Sequence, residues 1–485
     1  MFFTQGNHSL YLEKMESQLG KFPLEVLSEF ETDILIMKRF NLDVLIPFIQ
    51  PLYSATGRPS YDPVILMRCW FIASRHAWNA KTLHKTLRAR PILRCLCGIP
   101  DKHSIPALGS LYHFIDRLVP LNEKQVIRAP FGKKTKRPRK SEIGGDTKLK
   151  DKRGEARTSH LAQKIMKGKC PIEKTPEKFL NAIFSALALD TSLACGLLSP
   201  EMDISGDGTC LETGASSYGV KICDCKKKGI VRCSCQRRFS DPLANRGWDS
   251  SKKRWYYGYT LYFLSTSATA YHKDLPLYLR LVDAKRHDGL TSLLALDDFI
   301  KLHPNWKIRS FSADSAMDNY PTYQLLKFWA IAPIIDLNTR NKRRESQGDI
   351  SFDDKGTPLC PGKLPMIFSG SWQRNLHIRQ KFRCPAKAKK GRVCPLEAFC
   401  SKSAYGRTFY ASSLEDERLY TPIPRESKEW KKLHKQRSGA ERINKQVLQD
   451  HGLEDSHMRS KHRYFFMATL ACIDIHLKAQ VSILA

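Results

Sequence analysis

Between about residue 200 and residue 337 the apolar residues switch repeatedly between strand period and helix period, and few architectures accommodate that succession. Ile204-Ser205-Gly206-Asp207-Gly208-Thr209 reads as a short strand carrying a carboxylate. Trp255 to Leu264 and Leu277 to Val282 are dense in aromatic and apolar residues and bounded by turn chemistry, so both read as strands. Asp288 to Leu302 has helical period and stops near His303-Pro304. Ile308 to Ala313 is a short strand, Tyr320 to Trp329 a helix, and Ala332 to Leu337 a strand. Three strands, then helix, strand, helix and strand predict a mixed α/β layer.

The flanking segments differ. Residues 1–130 read as helical: Leu24, Leu27 and Phe30 recur every three residues, and Asp62-Pro63 looks like a cap followed by proline at the first helical position. Cys97-Gly98-Ile99-Pro100 breaks that pattern, and Ser110 to Leu118 resumes it. Residues 131–175 predict a basic linker, with Lys133, Lys134, Lys136, Arg137, Arg139 and Lys140 clustered around Pro138. Such a run has no periodicity; it either tracks phosphates or serves as a solubilising tether. A second domain is expected over 176–483. It carries an insertion at about 340–425, rich in Lys, Arg, Pro and Cys, and turns helical again from about 428. The expected class is therefore multidomain, α plus α/β.

At 485 residues and 42% hydrophobic content the chain can bury several cores and is not a disordered protein. Its formal charge of +32 points to nucleic acid or another anionic surface as partner. No run of about 18 apolar residues predicts a transmembrane helix. The N-terminal MFFTQGNHSLYLEK lacks the basic and apolar regions of a signal peptide, so a cytosolic protein is expected. In that compartment fifteen cysteines suit thiols or metal ligands better than disulfides.

Three acidic residues stand out: Asp207 between two glycines, Asp314 after the Ile308–Ala313 strand, and Glu441 in Arg437-Ser438-Gly439-Ala440-Glu441. The glycines beside Asp207 would let a large ligand or a metal approach the backbone. Converging carboxylates suit hard Mg²⁺ or Mn²⁺, two ions at roughly 4 Å serving phosphoryl transfer. Cys223-Asp224-Cys225 and Cys233-Ser234-Cys235 suggest a tetrahedral Cys₄ zinc site closing a hairpin, with reduced thiols or a redox pair as alternatives. Cys360, Cys384, Cys394 and Cys400 form a less regular set of the same kind in the insertion.

In order along the chain, these stretches resemble the DDE transposases of bacterial insertion sequences. Tyr61-Asp62-Pro63 through Leu118 resembles their InsH-type N-terminal domain. Gly206-Asp207-Gly208-Thr209 resembles the first-Asp motif, Asp241-Pro242 and Tyr257-Gly258-Tyr259 the next strand, and Ala284 through Asp288 the segment after it. Ala313-Asp314-Ser315-Ala316-Met317-Asp318 resembles the second-Asp motif. The family pattern around its Glu is met by Arg437 and Glu441. His434 stands at its Tyr position and Leu448 at its Lys position, while Lys445, one helical turn after Glu441, can face the same way. Glu454 is the competing third acid.

The resemblance implies an RNase H-like catalytic core in which Asp207, Asp314 and Glu441 hold two Mg²⁺ or Mn²⁺ ions. It implies cleavage at the element ends and strand transfer into target DNA. A nuclease without strand transfer, or a catalytically silent DNA-binding descendant, are the alternatives. The implied partner is double-stranded DNA, as terminal inverted repeats and target, with a homodimer holding two ends at the nucleoid and no membrane. Arg437, Lys445, the basic linker and Trp372 would contact that DNA, Trp372 by stacking on a base.

Overall fold

In the computed structural model of the chain, residues 1–119, 127–128, 149–171, 175–231, 233–267, 269–286, 288–338, 348–353, 356–374, 377–388, 393–425, 427–456 and 458–483 are described. The lysines and arginines at 133, 134, 136, 137, 139 and 140 lie outside them, as does His287.

The N-terminal third is helical, as its periodicity predicts, and two of its helices matter most here: α1 (Glu31–Arg39) and α2 (Pro63–Arg75). Helix α2 is buried from Pro63 to Ser74, which follows from a sequence that is apolar apart from Arg68 and Ser74 over that range. It starts where the Asp62 carboxylate accepts a hydrogen bond from Val64 N at 2.8 Å, and Pro63 occupies the first position, where a missing N–H has no consequence. The expected basic linker is helical over α3 (Leu149–Met166), which buries Ala162 and Ile165. Apolar residues on one helical face explain why this part of the linker is ordered. Helix α4 (Pro176–Phe184) follows, capped by the Thr175 hydroxyl.

The sheet comes next, with strands β1 (Glu201–Glu212), β2 (Asn245–Asp249), β3 (Arg254–Thr266), β4 (Leu275–Asp283), β5 (Lys307–Ala313) and β6 (Ala332–Ile335). Strand β1 runs antiparallel to β3 on one side and parallel to β5 on the other, and β5 runs parallel to β6. The other edge of β3 is shared: β2 pairs with Arg254–Gly258 and β4 with Tyr259–Thr266. The order β4-β3-β1-β5-β6, three antiparallel strands followed by two parallel ones, is the RNase H-like arrangement. Helix α5 (Asp288–Leu302) leads from β4 to β5 and α6 (Tyr320–Phe328) from β5 to β6. Parallel neighbours need such crossovers, whereas among the described residues the antiparallel strands β1 to β4 follow one another without an α-helix between them.

Within the insertion a separate sheet forms from Ile367–Arg374, His377–Arg383 and Thr408–Ser412, around its own apolar cluster with Ile350, Phe382 and Tyr420. The chain then returns through α7 (Lys428–Gln436) and α8 (Ser438–Lys445) to α9 (Lys461–Ser482). Helix α9 carries the apolar run Tyr464 to Leu477 and packs against α1, α2, α4 and β4. Trp70 of α2 meets Phe466 of α9 edge-on at 6.2 Å. The helical third and the sheet domain therefore share one continuous hydrophobic core. Among the described residues no helix is long and apolar enough to cross a membrane.

Candidate active site

The middle of β1, the end of β5, the start of α5 and helix α8 supply the acids of one region. Asp207 lies in β1, opposite Phe263 of β3. Asp314 follows β5 directly, and its carboxylate caps the turn after it by accepting from Ser315 N at 2.5 Å. Asp288 opens α5. Glu441 sits on α8, which packs across β1 and β3.

The side chains of Tyr262 and Asp288 explain the glycines around Asp207. A Cβ on Gly206 would collide with the Tyr262 hydroxyl and stand 3.0 Å from Phe311. A Cβ on Gly208 would stand 3.2 Å from a carboxylate oxygen of Asp288 and 3.3 Å from the Tyr262 ring. The sequence suggested room for a ligand or metal at these glycines. Protein groups fill that room instead, because the site is assembled from side chains laid over β1.

Electrostatics tie the acids together. Burial pushes the Asp207 carboxyl up to about 6; the Gly208 N–H and the Arg437 guanidinium oppose that rise, while the charges of Glu441 and Asp288 add to it. Beneath them the Tyr262 hydroxyl is raised by burial, against a hydrogen bond with Ser292, and further by Asp207, Asp288 and Asp314. Asp207 thus interacts with Asp288 and Glu441, and Tyr262 with all three aspartates. The Asp207 carboxylate also accepts a hydrogen bond from Asn444 Nδ2 at 2.8 Å. Asn444 is buried, and its Oδ1 has no hydrogen-bond partner.

Helix α8 is held at this spot by its own sequence. Gly439 lets it approach closely: a Cβ there would collide with Ser267 and stand 2.6 Å from Asp274. Arg442 then grips Asp274 with two bonds, at 2.5 and 2.9 Å. Glu441 is half-exposed and paired with Arg437, one turn earlier, at 2.9 Å. Lys445 is exposed one turn later, while Leu448 packs against the core. His434 hydrogen-bonds Asp336, beyond the end of β6, at 2.8 Å. Glu454, the competing acid, is instead bound by Lys252 of the β2–β3 turn.

These groups are hard oxygen donors, and the like charges and burial around Asp207 leave it short of positive charge. A buried, unpartnered amide oxygen lies next to it. That set fits divalent Mg²⁺ or Mn²⁺. Among the described residues, no three carboxylates bring their oxygens within 4.8 Å of one another. An arrangement that open suits ions shared between acids better than one ion held by all of them.

Two of these residues escape a reading of the sequence. Asp288 looks like an ordinary acid at a helix start, favoured there by the dipole. Asn444 could have been found, because it lies three residues after Glu441 and so shares its helix face. The remaining expected residues lie elsewhere. Trp372 is exposed on the insertion sheet, its ring 6.0 Å from Tyr410 in a T-shaped contact. In the insertion, Gly362 lies against the Cys360 and Cys394 sulfurs and Gly406 against Cys384. Burial pushes the Cys400 thiol up, Arg407 opposes, and Cys360, Cys384 and Cys394 push the same way. Cys223, Cys225, Cys233 and Cys235 come together in a hairpin after β1.

Comparison with known families gives two matches. The family described as Transposase DDE domain matches residues 207–473, from Asp207 into α9. The family described as Transposase domain (DUF772) matches residues 34–117, the helical third. A search of curated proteins finds no match.

Proposed function

The chain belongs to the DDE-domain transposases, and from that premise we propose that it cuts DNA at the ends of its element and joins the freed 3′ ends to target DNA. Transposases act on DNA, and a formal charge of +32 suits a phosphate-rich partner. The observation that carries the reading is the grouping of Asp288 and Glu441 about the Asp207 carboxyl, raised to about 6, with Asp314 acting on the same Tyr262 hydroxyl as Asp207.

Asp207, Asp314 and Glu441 are the proposed ligands, with Asp207 between the other two. Bound there, two divalent ions would activate the attacking oxygen and stabilise the leaving one. Asn444 holds the Asp207 carboxylate in one orientation through its amide N–H. Arg437 neutralises Glu441 and stands ready to turn to a DNA phosphate. Asp288 adds negative charge next to Asp207, which strengthens the demand for cations. Cleavage and joining are both in-line displacements at phosphorus, with water and then a 3′-hydroxyl as nucleophile, so one set of residues serves both. Joining two ends to one target calls for two active sites, hence a dimer on the DNA. Lys445 and the basic run from Lys133 to Lys140 are its proposed phosphate contacts, and Trp372 a base contact near the cut.

The test is a joining assay. A labelled duplex from the gene's own flank, ending in a free 3′-hydroxyl, is mixed with supercoiled plasmid, the protein and Mg²⁺. Labelled plasmid is the expected product. Cleavage without joining would leave a nuclease, and binding with neither would leave a silent DNA-binding protein.

A further inference from the structure

We propose that Cys223, Cys225, Cys233 and Cys235 bind one Zn²⁺ ion, and that this ion orders the basic hairpin between β1 and β2. This site is independent of the chemistry proposed at Asp207. Sulfurs of all four residues lie within 4.8 Å of one another, with Cys223 and Cys233 at 3.5 Å and Cys225 and Cys235 at 3.5 Å. Four thiolates at Zn–S bonds of about 2.3 Å stand about 3.8 Å apart in a tetrahedron, so little movement is needed to close on a metal. Cys223 is extended and is followed by a single 3₁₀ turn, Asp224–Lys226, that carries Cys225 back toward it. The turn between the two Cys-x-Cys pairs is built for the approach: Gly229 has φ +74, and Ile230 N donates to Cys225 O at 2.8 Å.

Among its described residues the hairpin has little else to hold it. Its strands, Val220–Lys221 and Arg237–Arg238, are two residues each. Its apolar side chains face solvent: Val220 is 64% exposed, Ile222 45%, Ile230 48% and Val231 74%. A segment that buries so little apolar surface does not offset its own ordering entropy. A metal does so in small domains of this kind, where binding free energy becomes folding free energy. Four thiolates around Zn²⁺ form a closed, net negative centre with no open position, which makes the site structural. Lys221, Lys226, Lys227, Lys228, Arg237 and Arg238 belong to the same hairpin. Arg237–Arg238 also pairs with Ile127–Arg128, from the connector between the helical third and α3. Ordering the hairpin therefore also orders an attachment point for that connector.

The test uses the full chain purified under reducing conditions. Elemental analysis is expected to give about one equivalent of zinc that is lost in Cys225→Ser/Cys235→Ser and kept in Cys384→Ser/Cys394→Ser. Limited trypsin digestion should then cut between Lys221 and Arg238 in the first variant and in chelator-treated wild type, while untreated wild type resists. Co²⁺ exchanged into wild type should give the intense visible bands of a tetrahedral thiolate site. Far-ultraviolet circular dichroism checks that the Cys225→Ser/Cys235→Ser core stays folded; if it does not, the cobalt spectrum and the chelator digest of wild type decide. Wild type without zinc, or zinc unchanged in Cys225→Ser/Cys235→Ser, would overturn the assignment. So would a hairpin equally resistant to trypsin with and without the metal.

Discussion

Asp207→Asn is expected to abolish DNA cleavage, by at least about 10³-fold, while making the metal-free protein more stable at neutral pH. The two effects share one cause. Burial, together with Asp288 and Glu441, raises the folded-state value of Asp207 from 3.8 to about 6. A raised carboxyl is a cost, and its sign is fixed. Below 3.8 both folded and unfolded chains hold the proton and nothing is lost. Between 3.8 and about 6 the unfolded chain gives up its proton first. Above about 6 the folded chain must carry the buried charge, at a cost on the order of 3 kcal/mol. Asparagine removes that cost and with it a proposed metal ligand. Thermal unfolding should therefore place the melting temperature of Asp207→Asn above that of wild type at pH 7.5 without metal, with the gap closing towards pH 4. Added Mn²⁺ should raise wild type and leave the variant unmoved. A variant less stable than wild type at pH 7.5 would show that Asp207 is held as a structural ion pair.

Arg75→Ala is expected to lose about 3–5 kcal/mol, the largest stability effect of any single change considered. Arg75 ends α2 and is 6% exposed; it bonds Asp33 of α1 at 2.7 Å and Asp474 of α9, which is wholly buried. Burial alone would raise Asp33, yet hydrogen bonds from His76 and Arg75 bring it below the usual carboxylate range. Removing the guanidinium leaves both carboxylates without their shared partner. Lys478 still reaches Asp474 at 2.7 Å and His76 reaches Asp33 at 2.9 Å, which keeps the loss within that range. Arg75→Met/Asp474→Leu should be less destabilised than Arg75→Ala, because the more deeply buried of the two carboxylates that Arg75 served is replaced along with it. Urea unfolding checks both. The consequence reaches function, since this cluster fastens the helical third to the helix that backs the sheet. An Arg75→Ala protein that still folds should show early protease cleavage between the two.

Much of the fold was legible because local rules and the tertiary structure agree. Asp288–Leu302 is a helix over the range its period predicts, and the Asp62-Pro63 entry to α2 is made as expected. Strand β2 was not legible: Asn-Arg-Gly-Trp-Asp has no alternating apolar residues, and it forms because β3 is long enough to pair beyond β4. The ordered part of the linker was hidden by its charge. At the site, Asp207, Asp314 and Glu441 could be named from motif order, while their grouping depends on strand order and on Gly439 seating α8. Asp288 was invisible as a site residue because its meaning lies in what it covers, the bare backbone of Gly208. The shared core across α1, α2 and α9 joins residues hundreds of positions apart and leaves no local mark.

The central claim is that Asp207, Asp314 and Glu441 act as one metal-dependent centre. Its most direct test is the rate of nicking of a labelled duplex from the gene's flank, in Mg²⁺ and in Mn²⁺, by wild type, Asp314→Asn, Glu441→Gln and Glu454→Gln. Nicking at one fixed position is expected for wild type and Glu454→Gln, with Asp314→Asn and Glu441→Gln inactive in both metals. Full activity in Glu441→Gln together with loss in Glu454→Gln would contradict the account, moving the third acid away from α8.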